Sequence, residues 1–389
     1  MKHITKIVSM VMVVLMLAAC FVACGDKGGD NEYVIGMSGP LTGGTSIYGT
    51  AVKNSAEMAI EEINAAGGLN GVKFRLIATD DMNDATKINT NYASLMEKGM
   101  QISLGTVTTT PGLEFKNYAH NDNLFVLTPS ASGDNIPEFD NCYQMCFADG
   151  NQGGVAAEYV NSQYKGETIG VFYKSDDSYS KGIFTQFKDK LDSSITVIET
   201  VFTDANATDF STQIEKLKDC KFIFMPIYYT PASQFMIQAK GTIADDAVYY
   251  GCDGLDGIDS AEGFDINTIP QEVSMLSHFN SKATEGKSKE FIDKYVNKYG
   301  AETLNQFGAA AYDCVYAIYD AMKAAAEKDP NAVKPDMSAS DLCNVLKDQF
   351  NNGFTYEGVT GDGKPITWEK NGYVNKTAVK YVIKEAQKK

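Results

Sequence analysis

The feature that most constrains this chain is an alternation of short β-branched runs with amphipathic stretches of helical period, sustained from about residue 33 to residue 251. YVIGMS (33–38) reads as a strand. A helix follows from about Tyr48 to Ala66, with Ala51, Ala56, Ala59, Ile60 and Ile63 on one face before Gly67 and Gly68 stop it. The pairing repeats through strands VKFRLIATD (72–80), QISLGT (101–106) and NLFVLT (123–128), and the helix before the last of these carries Pro111 in its first turn. A second series opens with a helix near 152–164. It runs through strands TIGVFY (168–173), SITVIETVF (194–202), KFIFMP (221–226) and AVYYG (247–251), with helices between them. Strands joined through helices close by right-handed crossovers into parallel sheets covered on both faces. Two such series predict an α/β chain of two doubly wound, Rossmann-like lobes. Helices near 286–298, 306–326 and 339–349 and short strands near 365–384 complete it.

Charge and residue counts exclude several functions. The 389 residues carry a formal net charge of −16, and Arg75 is the only arginine. Such a chain has no electrostatic footprint for phosphate backbones, so nucleic acid is excluded as a partner. Three histidines, His3, His120 and His278, leave no basis for a multi-histidine metal site. Neither a Gly-x-Ser-x-Gly elbow nor a His-Glu-x-x-His pair occurs. The expectation is a protein without metal or cofactor that is not an enzyme. Gly358, Gly363 and Lys364 imitate a phosphate loop, but Pro365 stands where Ser or Thr is required and would block the helix. Asp80, Asp81 and Asp84 lack the glycine and distal glutamate of a calcium loop and read as a cap for the helix near Ala85. Trp368, in the hairpin-like run ITWEKNGY, reads as packing.

The first two dozen residues read as a leader. Lys2 and Lys6 precede an apolar run from Ile7 to Ala19, too short for a comfortable membrane span. Leu17-Ala18-Ala19-Cys20 resembles a bacterial lipobox, and Phe21-Val22-Ala23-Cys24 is a second, similar run that opens a polar tether. Cys20 or Cys24 is therefore expected to carry lipid, holding an exported, monomeric body to the membrane. In the body, Cys142 and Cys146 lie four residues apart on one apparent strand, about 13 Å, too far to bridge. The thiols at Cys220 and Cys314 read as buried fillers.

In open α/β sheets, ligands bind beyond the carboxyl ends of the strands. In the first series those turns offer Ser38 to Gly44 leading to Tyr48, then Thr106 and Thr108 to Thr110, then Ser130 and Ser132. In the second they offer Asp176 to Tyr179, Tyr228 to Pro231, and Asp253 before Gly254. Hydroxyls and helix N-termini suit an anion; phenols and a carboxylate suit a cation. A cleft between the lobes would meet a zwitterion correctly on both sides. Any one of Thr109, Ser132 or Asp177 taken alone reads equally as a helix cap.

The stretches IGMSGPLTGGTSIYG, AIEEINAAGGLNGVKFRLIATDD, SLGTVTTTP, LFVLTPSAS, QGGVAAEYV, DDSYSKG, YYTPASQF and GCDGLDG stand in an order and spacing that resemble the branched-chain amino-acid (Leu/Ile/Val-type) binding proteins of ABC importers. The resemblance covers about residues 33–385. It implies the type I periplasmic-binding fold, two lobes joined by a three-stranded hinge, and a partner permease. It implies that Thr109 helps hold the ligand carboxylate, and that Ser130 and Ser132 share carboxylate and ammonium. Tyr179 and Tyr229 would close from the second lobe, Asp253 would pair the ammonium where the family often has glutamate, and Tyr48 and Phe307 would wall the side chain. The implied ligand is an aliphatic amino acid; another small polar ligand such as an amide, or a sensing role on the same fold, stays open. The expected partition is a leader at 1–23, a tether at 24–32, one lobe from 33–149 with 279–356, and the other from 150–278 with 357–389. The crossings are expected near 148–152, 276–282 and 354–360.

Overall fold

The computed structural model describes residues 31–203 and 207–387; the leader, Cys20 and Cys24 lie outside them. The first sheet is built from β1 (Glu32–Gly39), β2 (Lys73–Asp80), β3 (Ile102–Ser103), β4 (Phe125–Thr128) and β5 (Cys142–Gln144), in the order β2-β1-β3-β4-β5 and parallel throughout. The connecting helices are α1 (Ser46–Ala65), α2 (Ile88–Glu97) and α3 (Thr109–Asn121). β1 is buried along almost its whole length, as a strand covered on both faces must be.

The chain then enters the second lobe through α4 (Asp149–Gln163), and follows β6 (Thr168–Lys174), α5 (Ser178–Asp189), β7 (Thr196–Phe202), α6 (Ser211–Leu217), β8 (Phe222–Met225), α7 (Tyr229–Gln238), β9 (Val248–Gly251) and β10 (Glu272–Ser277). Within the second sheet, the parallel part runs β10-β9-β8-β6-β7. Read from the other edge, that order repeats the first sheet's, so each lobe has one switch point: between β1 and β3, and between β6 and β8. Both mouths are where neighbouring connections leave to opposite faces. β10 is absent from the periodicity above, because EVSMLS mixes apolar and hydroxyl residues that only the sheet buries together.

Three helices return to the first lobe: α8 (Gly286–Tyr299), α9 (Gln306–Lys328) and α10 (Ala339–Asn351). α9 lies close on α1. A Cβ at Gly308 would stand 2.9 Å from Ser55 Oγ and 3.1 Å from Ala51 O, so any side chain there would push the helices slightly apart. Glu62 of α1 accepts from Tyr312 (2.7 Å) and Tyr316 (2.9 Å) of α9, fixing their register.

The third passage between lobes differs from the expected 354–360. The antiparallel pair β11 (Thr355–Tyr356) and β12 (Ile366–Thr367) stays on the first lobe. Val359 N (2.8 Å) and Thr360 N (2.9 Å) donate to buried Asp313 of α9, and Trp368 Nε1 donates to Gln144 O of β5 (2.8 Å). Gln144 N donates to Gly372 O (3.0 Å), and the Trp368 ring packs on Phe350 with centroids 4.6 Å apart. Burying that indole requires the aromatic end of α10, so residues 357–375 are held on the first lobe rather than on the second. The chain crosses only where Ala378 N meets Asn151 Oδ1 of α4 (2.8 Å), and β13 (Val379–Lys384) then adds antiparallel to β10. The six cysteines from Cys142 to Cys343 are buried and unpaired.

Candidate functional site

The strand ends of the two lobes meet at one small, nearly filled cavity of about 10 Å³, walled by Tyr48, Val107, Thr108, Thr109, Ser130, Ser132, Tyr179, Tyr228, Asp253 and Phe307. The turns after β1, β3 and β4, with Phe307 from the start of α9, supply the first-lobe wall, and those after β6, β8 and β9 supply the second.

On the first-lobe side, α3 begins at Thr109, and its N-cap residue Thr108 makes no side-chain capping bond. The hydroxyls of both threonines are buried and unpartnered. This resolves the ambiguity of hydroxyls at a helix start: these two do not cap, and point their bonding capacity elsewhere. Ser130 Oγ donates to Val107 O (2.7 Å), and Ser132 bonds the carboxylate of Asp149. By contrast Asp177 does cap, accepting from Ser180 N at 2.9 Å.

On the second-lobe side, Asp253 is 1% exposed. Its Oδ1 accepts from Tyr179 OH (2.6 Å), while its Oδ2 has no partner. Tyr179 OH in turn accepts from Gly254 N (2.8 Å). A Cβ at Gly254 would lie 2.7 Å from both Ile227 O and Tyr179 OH, so glycine is needed for the two turns to touch. Burial pushes the Asp253 carboxyl up to about 6.

Aromatic rings complete the enclosure. Tyr48 packs edge-on to Phe307 (4.7 Å) and reaches across with its hydroxyl to Gly254 O at 2.5 Å. Tyr228 stacks on Tyr179 at 4.7 Å and 8°, and its hydroxyl is buried without a partner. Further contacts join the lobes at the rim: Thr230 Oγ1 to Gly44 O (2.6 Å), Thr110 Oγ1 to Asp177 (3.1 Å) and Gln306 N to Asp256 (2.8 Å).

Of the residues singled out in the sequence, Tyr48, Thr109, Ser130, Ser132, Tyr179, Asp253 and Phe307 stand on the cavity wall. Tyr229 does not. It lies behind the wall, edge-on to Tyr48 at 5.1 Å, and Tyr228 takes the lining position. Tyr228 is the extended N-cap residue of α7 and Tyr229 its first helical residue, so their side chains diverge. Val107, Thr108 and Tyr228 lie in the turns marked by the sequence but were not singled out as site residues.

Fold and site together define a two-lobed α/β protein with a small polar and aromatic cavity between its lobes. The chain belongs to the periplasmic binding protein family, whose model matches residues 32–375. It is 27% identical over 320 residues to the leucine-, isoleucine-, valine-, threonine- and alanine-binding protein of Pseudomonas aeruginosa, covering 79% of this chain and 82% of that one. Among solved structures it resembles the branched-chain amino acid transporter substrate binding protein LivJ of Streptococcus pneumoniae in complex with isoleucine. The TM-score is 0.73 at 25% identity, over 90% of this chain and 100% of that one. The leucine binding protein LivK of Thermotoga maritima has the same fold, with a TM-score of 0.76 at 20% identity over 91% and 96% of the two chains.

Proposed function

We propose that this chain is the extracytoplasmic substrate-binding component of an ABC importer and takes an amino acid, aliphatic or branched-chain, into the cleft between its lobes. One observation carries this: buried, unpartnered hydroxyls of Thr108 and Thr109 and an unpartnered oxygen of Asp253 line the same cavity from opposite lobes. Unsatisfied buried polar atoms are costly and rare, so they mark where a ligand completes the bonding. The hydroxyls and the first turn of α3 suit a carboxylate, Asp253 suits an ammonium, and Tyr48, Phe307 and Val107 leave an apolar wall for a side chain. The names of the relatives above agree with that chemistry.

Binding works by closure. A ligand that touches both lobes favours the closed arrangement by its differential affinity for it. The rim contacts Thr230 to Gly44 and Thr110 to Asp177 latch that arrangement. No bond of the ligand is broken; the closed protein delivers it to a permease. Lipid on Cys20 or Cys24 tethers the body to the membrane, and mass spectrometry of the mature N-terminus identifies which cysteine carries it.

A thermal-shift screen against the twenty amino acids and small amides tests the assignment. A specific ligand at a hundredfold excess over its Kd adds about 2.7 kcal/mol of stability. Stabilisation by an amide and by no amino acid favours the alternative small polar ligand, and no shift with any of them refutes the zwitterion site.

A further inference from the structure

The direction of the Thr109 side chain is set from behind the cavity wall. Thr109 is the first residue of α3 and is buried, and its Cβ carries a hydroxyl, a methyl and a hydrogen. In a helix a threonine divides between two staggered arrangements, so its own backbone does not choose where the hydroxyl points. Gly133, in the turn after β4, makes the choice. A Cβ built on Gly133 would stand 2.7 Å from Thr109 Cγ2 and 3.8 Å from Thr109 Cβ. The missing side chain is therefore a notch, and the methyl of Thr109 sits in it.

The notch is held in place. Gly133 is buried, and its carbonyl accepts from Ile136 N at 2.9 Å and from Gln144 Nε2 at 3.1 Å. The same amide nitrogen of Gln144 donates to Ala131 O at 2.9 Å. Gly133 is not among the residues of positive φ, so glycine answers a need for space here and not for conformation. The next wall residue but one repeats the device: a Cβ at Gly39 would stand 2.7 Å from Val107 Cγ2. Gly133, Thr109, Ile136 and Gln144 all belong to the first lobe, so the seating of the methyl does not depend on closure of the cleft.

We propose that Gly133 is a positioning residue for ligand binding. By seating the Thr109 methyl it leaves the hydroxyl, buried and unpartnered on the cavity wall, as the arm that meets the carboxylate of the ligand. This rests on the amino-acid reading of the cavity and adds to it a residue that never touches the ligand. Alanine at 133 would fill the notch with its own methyl. The cheapest relief is a turn about χ1 that brings the Thr109 hydrogen to face it, and a turn between staggered wells swings the hydroxyl by about 120°. A serine at 109 has no methyl to seat, so it keeps its hydroxyl on the cavity while a hydrogen faces the notch.

A double-mutant cycle read by titration calorimetry tests this, using whichever of the twenty amino acids stabilises the wild type most. Gly133→Ala should weaken binding about ten- to hundredfold, the range of one hydrogen bond to a charged group. Added to Thr109→Ser, the same change should weaken binding by no more than about twofold beyond Thr109→Ser alone. A cost of Gly133→Ala that is equal in the two backgrounds, or absent from both, overturns the notch while leaving the amino-acid site standing. Absence of binding to all twenty overturns both. Should Gly133→Ala fail to fold, NMR of the wild type decides through three-bond couplings to the Thr109 methyl, assigned with Thr109→Ser. Couplings of a single χ1 well are expected, and couplings averaged between wells refute the proposal.

Discussion

Replacing Asp253 by Asn separates the needs of the ligand from the needs of the fold. Asn keeps the shape and the acceptor for Tyr179 OH, which lies 2.6 Å from Oδ1, but removes the charge. In the filled site the ligand ammonium would then be buried without its counter-ion, a loss of about 3–5 kcal/mol. At about 1.4 kcal/mol per decade, Kd rises by more than two orders of magnitude. The empty protein responds in the opposite sense. Its Asp253 carboxyl stands at about 6 rather than 3.8, so the folded state binds the proton more tightly than the unfolded chain does. The stability this gives is fully present below 3.8 and is lost as pH rises from there through about 6, a loss of roughly 3 kcal/mol by neutrality. Asn never ionises and forfeits nothing. Melting curves of the ligand-free proteins should therefore coincide below about pH 3.8, separate between there and about pH 6 and stay apart above it, with Asp253→Asn the more stable by a few degrees. Calorimetry with the ligand should show binding lost. A variant that keeps affinity within tenfold, or melts well below the wild type at pH 7.5, refutes the assignment of Asp253.

Three other substitutions probe the rest of the site and its frame. Tyr228→Phe removes a buried unpartnered hydroxyl. It should leave the empty melt unchanged or raised and weaken ligand binding about tenfold or more if the hydroxyl meets a charged group, whereas Tyr229→Phe should not; equal effects in equilibrium binding contradict the lining assigned here. Gly254→Ala forces a Cβ to within 2.7 Å of Ile227 O and Tyr179 OH, so calorimetry should show a large loss of affinity with the secondary structure intact by circular dichroism. Trp368→Ala empties the space against Phe350 and should cost about 3–5 kcal/mol in denaturant unfolding; a cost below about 1 kcal/mol would mean the hairpin does not anchor the first lobe.

Much of this was legible in the chain because it is local. Apolar runs bounded by Gly and Pro located β1, β6, β8 and β9, and placed Thr109, Ser132, Tyr179 and Asp253 at strand ends. Choices between adjacent residues were not. Whether Tyr228 or Tyr229 faces the cleft depends on the backbone angle at the start of α7 and on the opposing Tyr48, far away in sequence. Asp149 reads as an ordinary first-turn acid in a sequence, and becomes unusual only where packing buries it.

The kind of molecule is written locally: periodicity dictates two α/β lobes, and residue types at the turns dictate opposite polarities. Which atoms are left without partners, and where the chain finally crosses between lobes, emerge only once the elements pack. The reason is physical. Strand and helix periods are properties of neighbouring residues, whereas hydrogen-bond satisfaction, desolvation and the burial of Trp368 depend on groups brought together across hundreds of positions.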